Sequence, residues 1–266
     1  MPAEKAIFIT GAASGIGLAT ARLFSARGWR VGLSDVNEPA LARALASFPA
    51  DGTSAYPLDV RDREGWAAAL DAFTGTSGGR LDVLFNNAGV GLGGSFAEAP
   101  FDAIDRTVAV NLTGVLNGAR IGHAHLKRTP GSCLLNTASA SAIYGSAGLA
   151  VYSATKFAVR ALTEALDGEW HPDGIRVRAL IPAFIDTAIL DDVGDGRGDA
   201  RESIRAAGLE IGTVDEVAHA AWAAVHGERL HTLVGATARR LTFAARWMPG
   251  RLRRMMRANA LRARET

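Results

Sequence analysis

Short apolar, β-prone runs recur along the chain, each bounded by Gly, Asp or Asn and separated from the next by a stretch with helical periodicity. Residues 6–10, 30–34, 55–58, 83–86, 133–137 and 176–181 predict six buried strands, and a weaker run at 230–234 predicts a seventh. Residues 17–27, 39–48 and 64–73 place apolar side chains on one face of a helix. Parallel strands need long crossovers, so this alternation predicts an α/β fold: a doubly wound parallel sheet with helices on both faces. No internal repeat or low-complexity linker interrupts it. The stretch DDVGDGRGDARES, 191–203, is polar and glycine-rich and predicts a mobile loop, within a substrate loop spanning about 188–210; its GRGD (196–199) reads as polar loop only.

With 266 residues and 48% apolar side chains the chain fits one large domain with a sizeable core. A single cysteine, Cys133, excludes an internal disulfide framework and suits a reducing cytoplasm; within SCLLN it reads as a small buried hydrophobe. No run of 18 apolar residues predicts a membrane span. A signal peptide is not expected either, because cleavage would remove a glycine-rich loop that begins at residue 10. The net charge of +2 hides a division. Residues 239–264 hold nine arginines and no acid, while residues 1–238 hold 20 basic and 26 acidic side chains, about −6. The chain therefore divides into a body, 1–238, and a basic extension, 239–266. His123 and His125 lie two apart on a predicted helix, point to different faces, and read as surface or interface histidines rather than metal ligands.

The first chemical signal is TGAASGIG, residues 10–17, between the first strand and the first helix. Gly11 permits the sharp turn, Gly15 admits a phosphate close to the backbone, and Gly17 lets helix pack on strand. The helix N-terminus then offers free N–H groups to a pyrophosphate. The spacing, G-x3-G-x-G, departs from the common G-x-G-x-x-G fingerprint. Asp35 follows the second strand, eighteen residues past Gly17, where a carboxylate accepts from adenosine ribose hydroxyls and repels a 2′-phosphate. No Arg or Lys stands at 34, 36 or 37, so NAD is expected rather than NADP.

These residues, taken with LDV (58–60), NNAG (86–89), Asn111, Ser139, YSATK (152–156) and IPAFIDT (181–187), resemble the short-chain dehydrogenase/reductase family over about residues 5–190. The resemblance implies a Rossmann-type sheet and a nicotinamide dinucleotide. It places Ser14 and Ile16 in the phosphate loop, and Asp59 and Val60 at the adenine. Asn87, Ala88 and Gly89 would line the adenine-ribose side, and Ile185 and Thr187 would hold the nicotinamide carboxamide. Ala183 departs from the family's usual glycine, and its methyl is expected to shift the loop near the nicotinamide. The helices around 101–127 and 152–170 are expected to form the interface of a homodimer or homotetramer. The family's C-terminal strand and glycine pair are missing.

The family reading makes Asn111, Ser139, Tyr152 and Lys156 the catalytic set, with Tyr152 and Lys156 also touching the cofactor. A Lys ammonium roughly 4 Å from a phenol, at an effective dielectric of about 20, favours phenolate by about 4 kcal/mol before desolvation opposes it. Tyr152 and Lys156, at i and i+4, share a helix face, so Tyr152 is expected to exchange the proton of the reacting hydroxyl. Ser139 would hydrogen-bond the substrate oxygen, with Ser141 two residues on as the alternative. Asn111, predicted inside the fourth helix, would hold a relay water. The family resemblance implies a small-to-medium apolar secondary alcohol or ketone as substrate, and Leu92, Phe96, Ile143, Tyr144, Leu149, Phe184 and Leu190 near the expected pocket agree with it. Two other functions remain open: an NADPH-dependent carbonyl or acyl reductase, and a non-catalytic dinucleotide sensor. The extension divides at Pro249-Gly250 into two helical pieces, with Leu252, Met255, Met256 and Asn259 on one face. It reads as a tail packed on a neighbouring subunit, a membrane-surface helix or a cover over the pocket; nucleic acid is not expected as a partner. A cytoplasmic location, with membrane association through the tail as the alternative, follows.

Overall fold

Seven parallel strands form the centre of the computed structural model, which describes residues 4–192 and 200–265, without the side chains of Ala200, Ser203 and residues 259–265. The strands are β1 (Ala6–Thr10), β2 (Arg30–Asp35), β3 (Thr53–Pro57), β4 (Val83–Asn86), β5 (Cys133–Thr137), β6 (Arg176–Pro182) and β9 (His231–Val234), in the order β3-β2-β1-β4-β5-β6-β9. Every pairing is parallel, with Ile7 beside Val31 on one side and beside Val83 on the other. The seventh strand is therefore present, and the C-terminal strand expected to be missing is β9. Of residues 55–58, expected to be buried, 55–57 belong to β3 at the sheet edge, where only one neighbour covers them and each keeps some exposure, whereas Leu58 just past the strand is buried as expected. A second sheet, of two short parallel strands, pairs β7 (Phe184–Ile185) with β8 (Ile211–Gly212).

Alternation along the strands divides the core between two faces. Ile7 and Ile9 of β1 and Leu135 of β5 point to one face, where α1 (Gly15–Ala26), α2 (Glu38–Leu45) and α9 (Val214–His226) contribute Phe24, Leu41 and Ala221. Phe8 and Leu134 point to the other, against Trp66, Leu70 and Phe73 of α3 (Arg63–Thr76), Leu126 of α5 (Gly114–Lys127) and Trp170 of α6 (Ala150–Trp170). Asn37 and Asp62 cap α2 and α3 through their side chains, and Thr213 with Glu216 forms a capping box on α9. Cys133 is fully buried, and burial pushes its thiol up to about 11.

Three local expectations are revised. Asn111 is not inside a regular fourth helix: α4 (Phe101–Val108) passes into a π-helical turn, Ala109–Thr113, before α5 begins. His125 is buried rather than superficial, because α5 turns it toward Thr74 and within reach of Arg128. His123 does reach the surface, against Asp173. The region 188–210 carries two short helices, α7 (Ile189–Asp192) and α8 (Ala200–Ala206); residues 193–199, with the GRGD stretch, lie outside the described residues. Arg201 of α8 ties this region back through Asp186 at 2.7 Å and the Thr187 carbonyl at 3.2 Å.

The extension forms α10 (Ala236–Trp247) and α11 (Pro249–Glu265), breaking at Pro249 as expected. Leu252 turns inward and is 1% exposed, whereas Met255 turns out to solvent, so the two do not share a buried face. Among the described residues no helix is long and apolar enough to cross a membrane.

Helix α5 lies so close to the sheet that a Cβ on Gly118 would overlap Asn86 Oδ1 and come 2.7 Å from the Trp66 ring. Both neighbours are buried and bonded, the indole N–H donating to the Val60 carbonyl at 2.9 Å, so neither has room to yield. Gly118→Ala is expected to cost about 1–3 kcal/mol, read as a lowered denaturant midpoint with an unchanged m-value.

Candidate active site

The strand order reverses direction between β1 and β4, and loops leaving their C-terminal ends part there to open a crevice. Thr10 and Asn87 hold the two lips together. The Thr10 hydroxyl accepts from the Asn87 and Ala88 amides at 3.0 and 3.1 Å, while the Asn87 side chain donates to the Thr10 and Gly11 carbonyls at 3.0 and 3.3 Å. Asn87 Oδ1 also accepts from Thr137 at 3.2 Å, joining β5 to the clamp. The Asn87 side chain thus supports the glycine loop and the central sheet.

The glycine loop fits a pyrophosphate on its own geometry. Gly11 and Gly15 have φ of 64° and 53°, and Ala12 and Ala13 donate to the Ser34 carbonyl and to Asp35 Oδ2. A Cβ on Gly17 would overlap the Gly11 carbonyl, so only glycine lets α1 start this close to β1. Ser14 makes no side-chain cap and the first turn of α1 holds no acid, which leaves the N–H groups of Gly15, Ile16 and Gly17 facing the crevice mouth. Thr187 borders the same loop, its methyl 3.3 Å from where a Gly15 Cβ would stand, and its hydroxyl turns to the Ile185 carbonyl. Ile185 itself is buried in the core.

Asp35 is half-buried at the end of β2, with Oδ1 accepting from the Asn37 amide at 2.9 Å and Oδ2 from Ala13 at 3.1 Å. It holds the turn and still has lone pairs for a ribose. Asp59 is different: Arg61 engages both of its oxygens, at 2.9 Å from Nε, and holds its carboxyl below the usual range. Val60 packs against Gly114, and its carbonyl accepts from Trp66 and Asn117. Both lie at the crevice edge with their polar groups already partnered.

Helix α6 carries the reacting pair across from β5. Tyr152 hydrogen-bonds with Ser139, and the two meet where β5 ends and the Ala140–Ala142 turn begins. Ser141 uses its amide to donate to Ser139 Oγ at 3.1 Å, so it orients the serine rather than replacing it. The Tyr152 ring is partly exposed, but its hydroxyl end lies among protein atoms. Burial pushes the phenol above its ordinary value, and the Ser139 hydrogen bond opposes this more weakly. The expectation of a phenolate favoured by Lys156 is therefore not met in the protein alone. The ammonium stands 5.6 Å from the ring centroid, and desolvation outweighs it.

Lys156 is 3% exposed, and its Nζ donates to the Thr137 carbonyl at 3.0 Å. No carboxylate pairs with it among the described residues, and burial pulls its pKa down to about 8. An ammonium has three donors, so two remain for the hydroxyls of a bound ribose. Gly89 keeps the approach open: a Cβ there would sit 3.3 Å from Asn111 Oδ1 and 3.5 Å from Lys156 Nζ. Asn111 is fully buried, and its amide is committed to Val90, accepting from the backbone N–H at 2.8 Å and donating to the carbonyl at 2.9 Å. It locks the loop after β4 against α6, with Thr155 at 3.5 Å.

Sequence reasoning did not single out Thr10, Val90, Thr137 or Thr155, although Thr10 and Thr155 stand inside the quoted motifs. Val90 acts through backbone groups, as does Thr137 toward Lys156, and such groups leave no residue-type signature. On the substrate side, Leu92 and Phe96 line a small hollow with Ala99 and Val151, and the Gly93 amide donates to the Asp192 carbonyl of α7 at 3.0 Å. Ala183 donates to the Val234 carbonyl at 3.2 Å, and its methyl faces Gly235, whose φ of 89° and missing side chain give it room.

A family model described as short chain dehydrogenase matches residues 5–198. The meso-2,3-butanediol dehydrogenase of Serratia marcescens is 38% identical over 184 residues, covering 69% of this chain and 72% of that protein. The cyclopentanol dehydrogenase of Comamonas testosteroni is 32% identical over 200 residues, 74% of this chain and 80% of that protein. Among solved structures, a short chain dehydrogenase/reductase from Burkholderia phymatum in complex with NAD superposes with a TM-score of 0.82 at 28% identity, covering 95% of each chain.

The buried ammonium of Lys156 has a stability consequence. Its folded pKa, about 8, lies below the ordinary value of 10.5, so at pH 7 the fold carries a charge it disfavours, at a cost of about 3 kcal/mol. Between pH 8 and 10.5 the folded state has lost that proton while the unfolded state keeps it, and stability rises with pH. Lys156→Met without cofactor is therefore expected to raise the thermal midpoint at pH 7, with a gain that shrinks as pH passes 8. A gain independent of pH would show that burial of the charge is not its source.

Proposed function

The chain belongs to the short-chain dehydrogenase family, and on that premise we propose that it interconverts a small-to-medium apolar secondary alcohol and its ketone with NAD, Tyr152 exchanging the proton. The observation that carries this reading is the buried meeting of Tyr152, Ser139 and Lys156 at the mouth of the glycine-loop crevice. The nicotinamide, when bound, accepts or supplies the hydride. In the oxidative direction Tyr152, ionised once Lys156 and the positive nicotinamide of a bound NAD⁺ lie beside it, would take the alcohol hydroxyl proton, while Ser139 would hydrogen-bond the same oxygen and stabilise its developing charge. The remaining N–H groups of Lys156 face the ribose hydroxyls and bring its positive charge toward the phenol as the site closes to water. Asn111 acts as a positioning residue that keeps the loop after β4 seated.

Asp35 supports NAD over NADP. Its carboxylate is pinned by two backbone amides where the ribose would lie, and Val36 beside it is 67% exposed and offers no cation to a 2′-phosphate. Phe101, Val108, Leu116 and Phe157 are exposed on α4, α5 and α6, and such apolar side chains on adjacent helices support assembly as a homodimer or homotetramer through that surface.

Tyr152→Phe is expected to lower kcat by about 10²–10⁴-fold with NADH affinity within a few-fold of wild type. Turnover surviving that change would remove Tyr152 from the mechanism. In a fluorescence titration NADH is expected to bind at least about tenfold tighter than NADPH, and Asp35→Ser to narrow the difference. Tighter NADPH binding by the unaltered protein would favour the NADPH-dependent reductase instead.

A further inference from the structure

The extension beyond the matched family segment carries a surface of unusual composition. Helix α10 packs one side against β9 and the Ala140–Ala142 turn, burying Ala238 and half-burying Leu241, Thr242 and Ala245. Its other side exposes Arg239, Arg240, Phe243, Arg246 and Trp247. At 3.6 residues per turn these five fall within an arc of about 120°. Phe243 and Trp247 stand side by side at i and i+4, 58% and 66% exposed, with arginines on both flanks. Met248, at the end of α10, and Met255 of α11 are also exposed, as are Arg251, Arg253, Arg254 and Arg257 of α11. From residue 236 to 258 there is no acid.

We infer that the α10–α11 face docks on the surface of an anionic phospholipid bilayer, with Phe243, Trp247 and Met248 entering the headgroup region and the arginines on lipid phosphates. Charge and apolarity select this occupant together. Arginines alone would suit a nucleic acid, but a duplex offers no apolar layer for the exposed aromatics. A second copy joined by two-fold symmetry through the same face would set arginines against arginines. An anionic interface satisfies both, and an indole is at home at its boundary. The body, at about −6, is repelled from the same surface, so the charge division orients the molecule with the extension toward the lipid.

The face is coupled to the site. Glu210, leading out of the α7–α8 region, accepts from the Ala236 and Thr237 amides and so caps α10 at its first turn. The helix rests on the same turn that holds Ser139. Docking therefore sets the substrate side of the crevice beside the bilayer. Only this consequence rests on the proposed function, as the route by which a membrane-partitioned alcohol would arrive; the docking stands without it.

The test is sedimentation of the full chain with vesicles of phosphatidylcholine alone and of phosphatidylcholine with phosphatidylglycerol. Binding at least about tenfold stronger to the anionic vesicles is expected, since each basic side chain near such a surface contributes roughly fivefold. Phe243→Ser with Trp247→Ser, and separately Arg239→Gln with Arg240→Gln and Arg246→Gln, are each expected to lose about tenfold or more while NADH affinity and the thermal midpoint stay at wild-type values. The arginine set, changing only exposed side chains, serves if the aromatic set fails to fold. Brominated phospholipid is expected to quench Trp247 fluorescence, with the quenching absent in Trp247→Phe. Equal binding to both vesicle types, or wild-type binding by the variants, overturns the proposal. So does retention on duplex DNA without vesicle binding, or a lipid-independent oligomer that the aromatic variants dissolve. Loss of NADH binding by the unaltered chain would instead count against the proposed function.

Discussion

The close approach of α1 to β1 is the constraint on which the site depends. Gly17 removes the side chain that would meet the Gly11 carbonyl, and Asn87 then ties that carbonyl and the Thr10 carbonyl to the end of β4. Because β1 and β4 are neighbours from which the chain winds in opposite directions, this one clamp joins the two halves of the sheet. Through Thr137 it also reaches β5, and so fixes the strand end from which Ser139 and the Lys156 contact are hung. A side chain at 17 would move the helix, open the clamp and shift every group beyond it.

The cluster of Tyr152, Ser139 and Lys156 is held at an energetic loss. A lysine ammonium enclosed with one carbonyl partner and no carboxylate is unfavourable, and burial shifts both members of the pair toward their neutral forms. The surrounding network compensates in part, although Asn86 Oδ1 within it is buried without a hydrogen-bond partner. Asn86, Asn136 and Thr163 bond in series beneath the site, and Asn111 spends its whole amide on Val90 and Thr155. Backbone rigidity is thus supplied by neutral polar pairs, leaving the charged group available. Lys156 is therefore held charged at a cost to the fold.

The extension obeys another logic. It buries Ala238 and Leu252, while its exposed surface joins aromatic and methionine side chains to arginines. Glu210 and the Ala140–Ala142 turn connect it to the substrate side, so a surface outside the matched family segment borders the reaction centre.

Periodicity and motif spacing determined much of this protein without coordinates. The strands 6–10, 83–86 and 133–137 match residue for residue, because buried parallel strands are continuous apolar runs with sharp polar ends. Tyr152 and Lys156 were legible as a pair because helix geometry is local. The tertiary structure alone decided the edge position of β3, the π-helical turn at Asn111 and the inward turn of His125, since each depends on what a distant segment packs against it. It also decided the balance at Tyr152. Spacing along a helix reports that a cation is near, but only the packed fold reports how much water has been removed, and here desolvation is the larger effect.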